Sequence, residues 1–129
     1  MRWLLDTNVL SELRRRTPDR QVAEWVGAQN PFDAYLSVMT IFELELGAAL
    51  KERRDPKQGA DLRRWIARLA TEEFAGRILP LDVEIAQLAA GLHVPDPRPL
   101  ADAFIAATAL HHNLTVVTRN VKDFTQLGV

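Results

Sequence analysis

The chain opens Met1-Arg2-Trp3-Leu4-Leu5-Asp6-Thr7-Asn8, so a short apolar run ends in a carboxylate, a hydroxyl and an amide. In an α/β protein, an acid at that place stands at the carboxyl end of the first strand, the edge where such folds bind ligands. Two further acids sit where charge is costly. Glu43 lies within Ile41-Phe42-Glu43-Leu44-Glu45-Leu46-Gly47, and Asp102 within Pro99-Leu100-Ala101-Asp102-Ala103-Phe104-Ile105-Ala106-Ala107. Carboxylates in apolar surroundings need a proton or a cation, and like charges brought together raise one another's pKa. A cluster of the three therefore makes physical sense around a metal ion. Oxygen-only ligands favour magnesium or manganese over zinc. A divalent ion so held lowers the pKa of bound water and stabilises charge on a phosphoryl oxygen, which suits phosphodiester hydrolysis.

Each acid also has an ordinary structural explanation. Asp6 suits a helix cap or a tight turn, but Thr7 and Asn8 can cap as well, so the helix does not need it. Asp102 falls in a first helical turn, where a carboxylate meets the macrodipole for about 0.3–1 kcal/mol. The rest of Leu100 to Leu110 is apolar except for Thr108, so that helix is expected to be buried on most of its surface. Glu43 has the weakest ordinary explanation. Apolar residues surround it on nearly every helical face, and Gly47, one turn on, leaves room for an approaching group. Glu45 faces elsewhere and is not assigned to the site.

The elements that must position these acids are legible in the pattern. Trp3 to Leu5 reads as a strand and Val9 to Arg15 as a short helix. Thr17-Pro18-Asp19 looks like a cap with proline at the first helical position, opening a helix toward Gln29. Ala34 to Ser37 is a second strand, followed by a helix from Val38 to about Arg53. Asp55-Pro56 opens a longer helix that runs through Phe74 and stops at Gly76. Ile78 to Leu81 is a third strand, and Asp82 caps a helix reaching about Leu92. Val94 to Pro99 must be a loop, because its three prolines cannot lie in a helix interior. Leu100 to His112 is helical with Asn113 as its stop, Leu114 to Val117 is the fourth strand, and Thr118-Arg119-Asn120 is its exit loop. The tail from Val121 to Val129 reads as a turn or a short edge strand. Strands alternating with helices imply an α/β fold, a central, mostly parallel sheet of four to five strands between two helical layers.

Composition narrows the function classes. A length of 129 residues fits one domain spanning 1–129. The chain has no cysteine, which excludes thiol catalysis, zinc–thiolate sites and disulfides. No stretch approaches the ~20 apolar residues of a membrane span, and the amino end lacks a secretory apolar core, so the natural expectation is cytoplasmic, with no membrane partner. Net charge is −1, which gives no general attraction to nucleic acid. The basic residues are nevertheless clustered, with Arg14, Arg15, Arg16 and Arg20 early and Lys51, Arg53, Arg54, Lys57, Arg63, Arg64 and Arg68 in the middle. They read either as solvated helix faces or as a rim for a polyanion or an acidic partner.

Taken in order, Leu4-Leu5-Asp6-Thr7-Asn8, Leu36-Ser37-Val38-Met39-Thr40-Ile41-Phe42-Glu43-Leu44 with Gly47, Gly76-Arg77-Ile78-Leu79-Pro80, Ala101-Asp102-Ala103-Phe104-Ile105-Ala106-Ala107-Thr108-Ala109 and Leu114-Thr115-Val116-Val117-Thr118-Arg119-Asn120 resemble a family. The chain is similar to PIN-domain ribonucleases, specifically VapC-type toxins of toxin–antitoxin modules, in their FitB-like branch. The resemblance covers essentially the whole length. It implies a three-layer α/β/α PIN-like domain and a metal-dependent endoribonuclease using Mg2+, with Mn2+ as substitute. It also implies a cognate VapB-like antitoxin, and a homodimer that assembles into a larger toxin–antitoxin complex.

The family's first three acids carry over to Asp6, Glu43 and Asp102. Asp6 and Asp102 would hold the metal, directly or through water, and Glu43 would complete the acidic cluster and orient the attacking water. Many relatives place a fourth acid where this chain has Asn120, and others place it a turn later, which matches Asp123. Thr7 and Thr118 would position water or the scissile phosphate, and Arg119 would steady phosphate or form a rim salt bridge. The histidines are read as structural: His111-His112 suits a helix end, and His93 enters the proline loop. A phosphatase of the haloacid-dehalogenase type would want a second acid at position 8, which is Asn8, and a receiver domain would want an acidic pair that is not present. The remaining alternative is a PIN-like domain that binds RNA or a protein without cutting.

Overall fold

Four short strands line up in the order β3-β2-β1-β4, every neighbour pair parallel, in the computed structural model. The described residues are 2–121 and 124. Strand β1 is Trp3–Leu5, β2 Ala34–Ser37, β3 Ile78–Leu79 and β4 Thr115–Val117. Between them run α1 (Thr7–Arg14), α2 (Arg20–Gly27), α3 (Val38–Arg54), α4 (Pro56–Arg68), α5 (Val83–Leu92) and α6 (Leu100–His112).

The period-2 geometry of β1 explains the layers. Leu5 packs with Val9, Leu10, Leu44 and Ile66 on one face of the sheet. Its neighbour Leu4 packs with Ile105, Ala106 and Ala109 of α6 on the other. Leu36 and Tyr35 of β2 divide the same way. A second apolar layer, Ile85 and Ala89 against Ala103 and Ala107, fastens α5 onto α6. The result is the α/β/α sandwich with an all-parallel sheet of four strands.

Local chemistry accounts for most element ends. Ser37 caps α3 by accepting from Met39 N at 3.0 Å, and Asp55 caps α4 by accepting from Gln58 N at 3.2 Å. Asp82 caps α5 by accepting from Ile85 N at 2.9 Å, and Asn113 ends α6 in the left-handed region at φ 56°. Where α3 and α4 meet, Gly59 lies so close to α3 that a Cβ there would stand 2.6 Å from the Cα of Glu52.

Several expectations shift. Helix α1 begins at Thr7 rather than Val9. Helix α2 begins at Arg20, because Asp19 is its cap, accepting from Val22 N at 3.1 Å, and Pro18 lies outside. It ends at Gly27, ahead of a 3-10 turn over Pro31–Asp33 that the hydrophobic pattern does not signal. The long helix toward Phe74 ends as α-helix at Arg68 and continues as a π-helical turn over Leu69–Glu73. That widened turn buries both Leu69 and Phe74 in the core. Strand β3 has two residues rather than four, and β4 begins at Thr115. The apolar residues around Glu43 do not all turn inward: Val38, Phe42, Leu46 and Leu50, at four-residue spacing, form an exposed stripe on α3. Of the tail, Val121 and Phe124 are helical rather than strand, and Phe124 packs with Leu4 and Leu114.

Candidate active site

The strand order 3-2-1-4 reverses direction between β1 and β4, and the crevice at the carboxyl ends of such a pair is where open α/β sheets bind ligands. Asp6 stands there. Strand register pairs Leu5 with Val117, and Asp6 N donates to Val117 O at 2.9 Å, so the residues following both strands leave side by side. Asp6 is only 3% exposed. It occupies the N-cap position of α1 without making a side-chain cap bond. Its Oδ2 accepts instead from the Thr118 hydroxyl at 2.8 Å, across 112 residues of chain. The carboxylate is therefore directed to the β4 exit rather than to its own helix.

Glu43 reaches the same edge from α3. Its Oε1 accepts from the Thr7 hydroxyl at 2.7 Å, and the Thr7 and buried Thr40 hydroxyls lie 3.1 Å apart. Ser37 starts α3 at the end of β2, so Thr40 and Glu43 fall in its first two turns, beside the start of α1. Glu43 is half-buried and has no cation within ion-pair distance among the described residues. Glu45 is turned away, paired with Arg63 at 3.1 Å. Gly47 lines the groove beyond Glu43, and a Cβ there would meet nothing within 4 Å.

Asp102 is half-buried in the first turn of α6, which packs against α3. Among the described residues, the acids do not close into a cage of three or more that could hold a metal ion by protein groups alone. Asp6 and Glu43 each accept from a threonine hydroxyl. The donors are nevertheless all oxygen, which fits magnesium or manganese. Magnesium in particular uses one or two carboxylates and keeps several waters, so a closed protein cage is not required.

The β4 exit loop is held by a group that sequence reasoning missed. Glu12, on α1, is 6% exposed. Its Oε2 accepts from Asp19 N at 2.8 Å, and its Oε1 accepts from Arg119 at 2.9 Å and from Arg15 at 3.3 Å. The Asp19 N–H foremost, with Arg15 and Arg119 adding to it, lowers the Glu12 pKa against the opposing effect of burial. Arg119 also lies 3.6 Å from Asp19. Of the two roles considered for Arg119, the structure displays the salt bridge. The available signal was helical spacing: Val9, Glu12 and Leu13 share the inward face of α1, and an acid there needs partners.

Asn120 is exposed, and its backbone N–H donates to the Thr118 hydroxyl at 2.9 Å. Asp123 lies outside the described residues. The histidines sit elsewhere. His93 Nδ1 accepts from Arg98 N at 3.0 Å inside the proline loop, and His111 lies 3.4 Å from Glu84.

Comparison with known proteins gives one consistent outcome. The PIN domain family model matches residues 3–128. Toxin FitB of Neisseria gonorrhoeae is 39% identical over 126 residues, covering 94% of this chain and 89% of that protein. VapC ribonuclease Y4jK of Sinorhizobium fredii is 36% identical over 98% of this chain and 92% of its own length. The crystal structure of FitAcB from Neisseria gonorrhoeae superposes with a TM-score of 0.88 at 38% identity, covering 98% of this chain and 94% of that one.

Proposed function

The chain belongs to the PIN-domain family, in the branch of the FitB and VapC toxins, and on that premise we propose that it is a metal-dependent ribonuclease of a toxin–antitoxin pair, hydrolysing RNA phosphodiester bonds at the Asp6 edge. The observation that carries this reading is a buried carboxylate at the β1–β4 switch point with a hydroxyl on it, beside a second carboxylate–hydroxyl pair. Fully buried acids are rare unless paired, and one held at the ligand crevice of an α/β sheet is a functional-site candidate.

Asp6 and Asp102 would hold the ion, Mg2+ or Mn2+, with Glu43 completing the acidic set. When bound, such an ion supplies a more acidic water and positive charge against a phosphoryl oxygen. The protein's own part is positioning. Thr118 fixes the Asp6 carboxylate, and Thr7 fixes Glu43, so each acid presents its remaining oxygen lone pairs in a set direction. Glu43 then orients the attacking water and accepts its proton. The Thr7 and Thr118 hydroxyls would also position water or the scissile phosphate. Arg119, anchored on Glu12, carries its charge on the same loop. Asn120 or Asp123 completes the site, the first as a neutral oxygen donor and the second as an acid. A cognate antitoxin of the VapB kind and a homodimer are the expected partners, in keeping with the toxin relatives.

The test is RNA cleavage by purified, antitoxin-free protein in magnesium, manganese or chelator, with Asp6→Asn and Asp102→Asn alongside. Metal-dependent cutting that both substitutions abolish supports the reading. Cutting that survives them would come from something other than this site. Asn120, where many relatives have an acid, favours one second reading, a domain that binds without cutting. Absence of cleavage together with no thermal shift on adding manganese would select it.

A further inference from the structure

The structure sorts the clustered basic residues into two kinds. Arg15, Arg20, Arg63 and Arg64 are each paired with a carboxylate: Glu12, Glu24, Glu45 with Glu52, and Asp61 respectively. Arg14 and Lys51, like Arg16, Arg53, Arg54, Lys57 and Arg68, are not so paired among the described residues, and what sets these two apart is their place. Both are exposed, and neither has a carboxylate within ion-pair distance among the described residues. Both line one trough. Its inner cavity, about 310 Å³, reaches from Thr7 and Glu43 past Gly47 to these two cations. An adjoining cavity of about 340 Å³ continues between the same two cations toward Gln58. Asp61 borders that outer part but is already occupied by Arg64. Arg14 does not wave free, since its guanidinium lies over the Trp65 ring, 5.4 Å from the centroid.

Two uncompensated cations flanking a groove that starts at the Thr7–Glu43 edge match a polyanionic strand lying between them. We infer that this trough seats the RNA strand as it leaves the cut phosphate, with backbone phosphates on Arg14 and Lys51. The inference rests on the ribonuclease reading for the identity of the strand, and it adds the path and the two residues that bind it. Phosphate contacts of this kind position the strand without reading its sequence. Arg14 and Lys51 therefore set affinity, and cleavage preference arises elsewhere.

The test measures binding of a fluorescein-labelled single-stranded RNA oligonucleotide in chelator, with the RNA checked on a gel for integrity. Arg14→Gln, Lys51→Gln and the double variant are compared with wild type and with Arg20→Gln, whose arginine lies outside the trough. Each single substitution is expected to weaken binding severalfold and to lower the slope of log affinity against log salt by about 0.7, and the double by about 1.4. Arg20→Gln is expected to change neither, and circular dichroism and Tm are expected to stay at wild-type values in all of them. A double variant with wild-type affinity and slope overturns the inference. So does a double variant that retains RNA binding but loses binding to an oligo-glutamate peptide, which would assign the trough to a protein partner. RNA cut in chelator would break the metal-dependence reading instead and leave the trough's assignment to the binding data.

Discussion

Glu12 and Glu43 are two glutamates on helices that start at the same edge of the sheet, and their surroundings are opposite. Glu12 is enclosed by a backbone N–H and two arginines, so its charge is already answered. Glu43 is held by one neutral hydroxyl, with no cation within ion-pair distance among the described residues. The arginine-laced corner serves the scaffold, joining α1, the turn before α2 and the β4 exit loop. The hydroxyl-laced edge orients an acid while leaving its negative charge to be met by something from outside. Partner type thus separates a carboxylate whose charge is met within the protein from one whose charge is not, although both lie in helices among apolar residues.

The largest expected effect falls on the working edge. Asp6→Asn and Asp102→Asn should each lower RNA cleavage by about 100-fold or more in single-turnover assays, while circular dichroism stays unchanged. Wild-type rates in either would remove that acid from the site. Next come the hydroxyls. Thr118→Val and Thr7→Val free the acids they orient, and activity or manganese affinity should fall about 10–100-fold. If both variants match wild type, the hydroxyls only fill space.

The third comparison sets the two glutamates directly against each other by thermal denaturation. Glu12→Gln should lower Tm, because it removes the counter-charge of Arg15 and the nearer of the two carboxylates on Arg119. Glu43→Gln should keep or raise Tm in chelator and lose the stabilisation by manganese. The opposite pattern would reverse the roles assigned here.

The smallest effect is on pH dependence. The folded pKa of Glu12 is lowered, so its contribution is present above the unfolded value and is lost as pH falls below 4.5 through the folded value. The Tm gap between wild type and Glu12→Gln should therefore narrow on acidification through that window. A gap constant with pH would mean that Glu12 acts by packing rather than charge.

Much of this was legible beforehand. Strands β1 and β2 fall where the apolar runs place them, and Asp55, Asp82 and Asn113 end or begin helices as their side chains dictate. Asp6 and Glu43 stand out along the chain because an acid in an apolar run is costly wherever it occurs. What the pattern misjudged depends on neighbours. Apolar residues surround Glu43 on nearly every helical face, yet Phe42 and Leu46 are exposed, because only packing decides which of those faces meets the sheet. The π-helical turn after α4 arose from seating Leu69 and Phe74 in the core, a constraint with no local signature.

By itself, the sequence determined the order of the elements and the identity of the acids. Capping, strand alternation and the cost of a buried charge are properties of a few adjacent residues, and those can be read along a line. Only the tertiary structure decided which hydroxyl holds which carboxylate, that Glu12 is an anchor, and that Arg14 and Lys51 remain without a counter-charge among the described residues. Asp6 meets Thr118 across 112 positions and Glu12 meets Arg119 across 107. Those pairings come from the parallel register of β1 with β4, and no local preference of the chain encodes them.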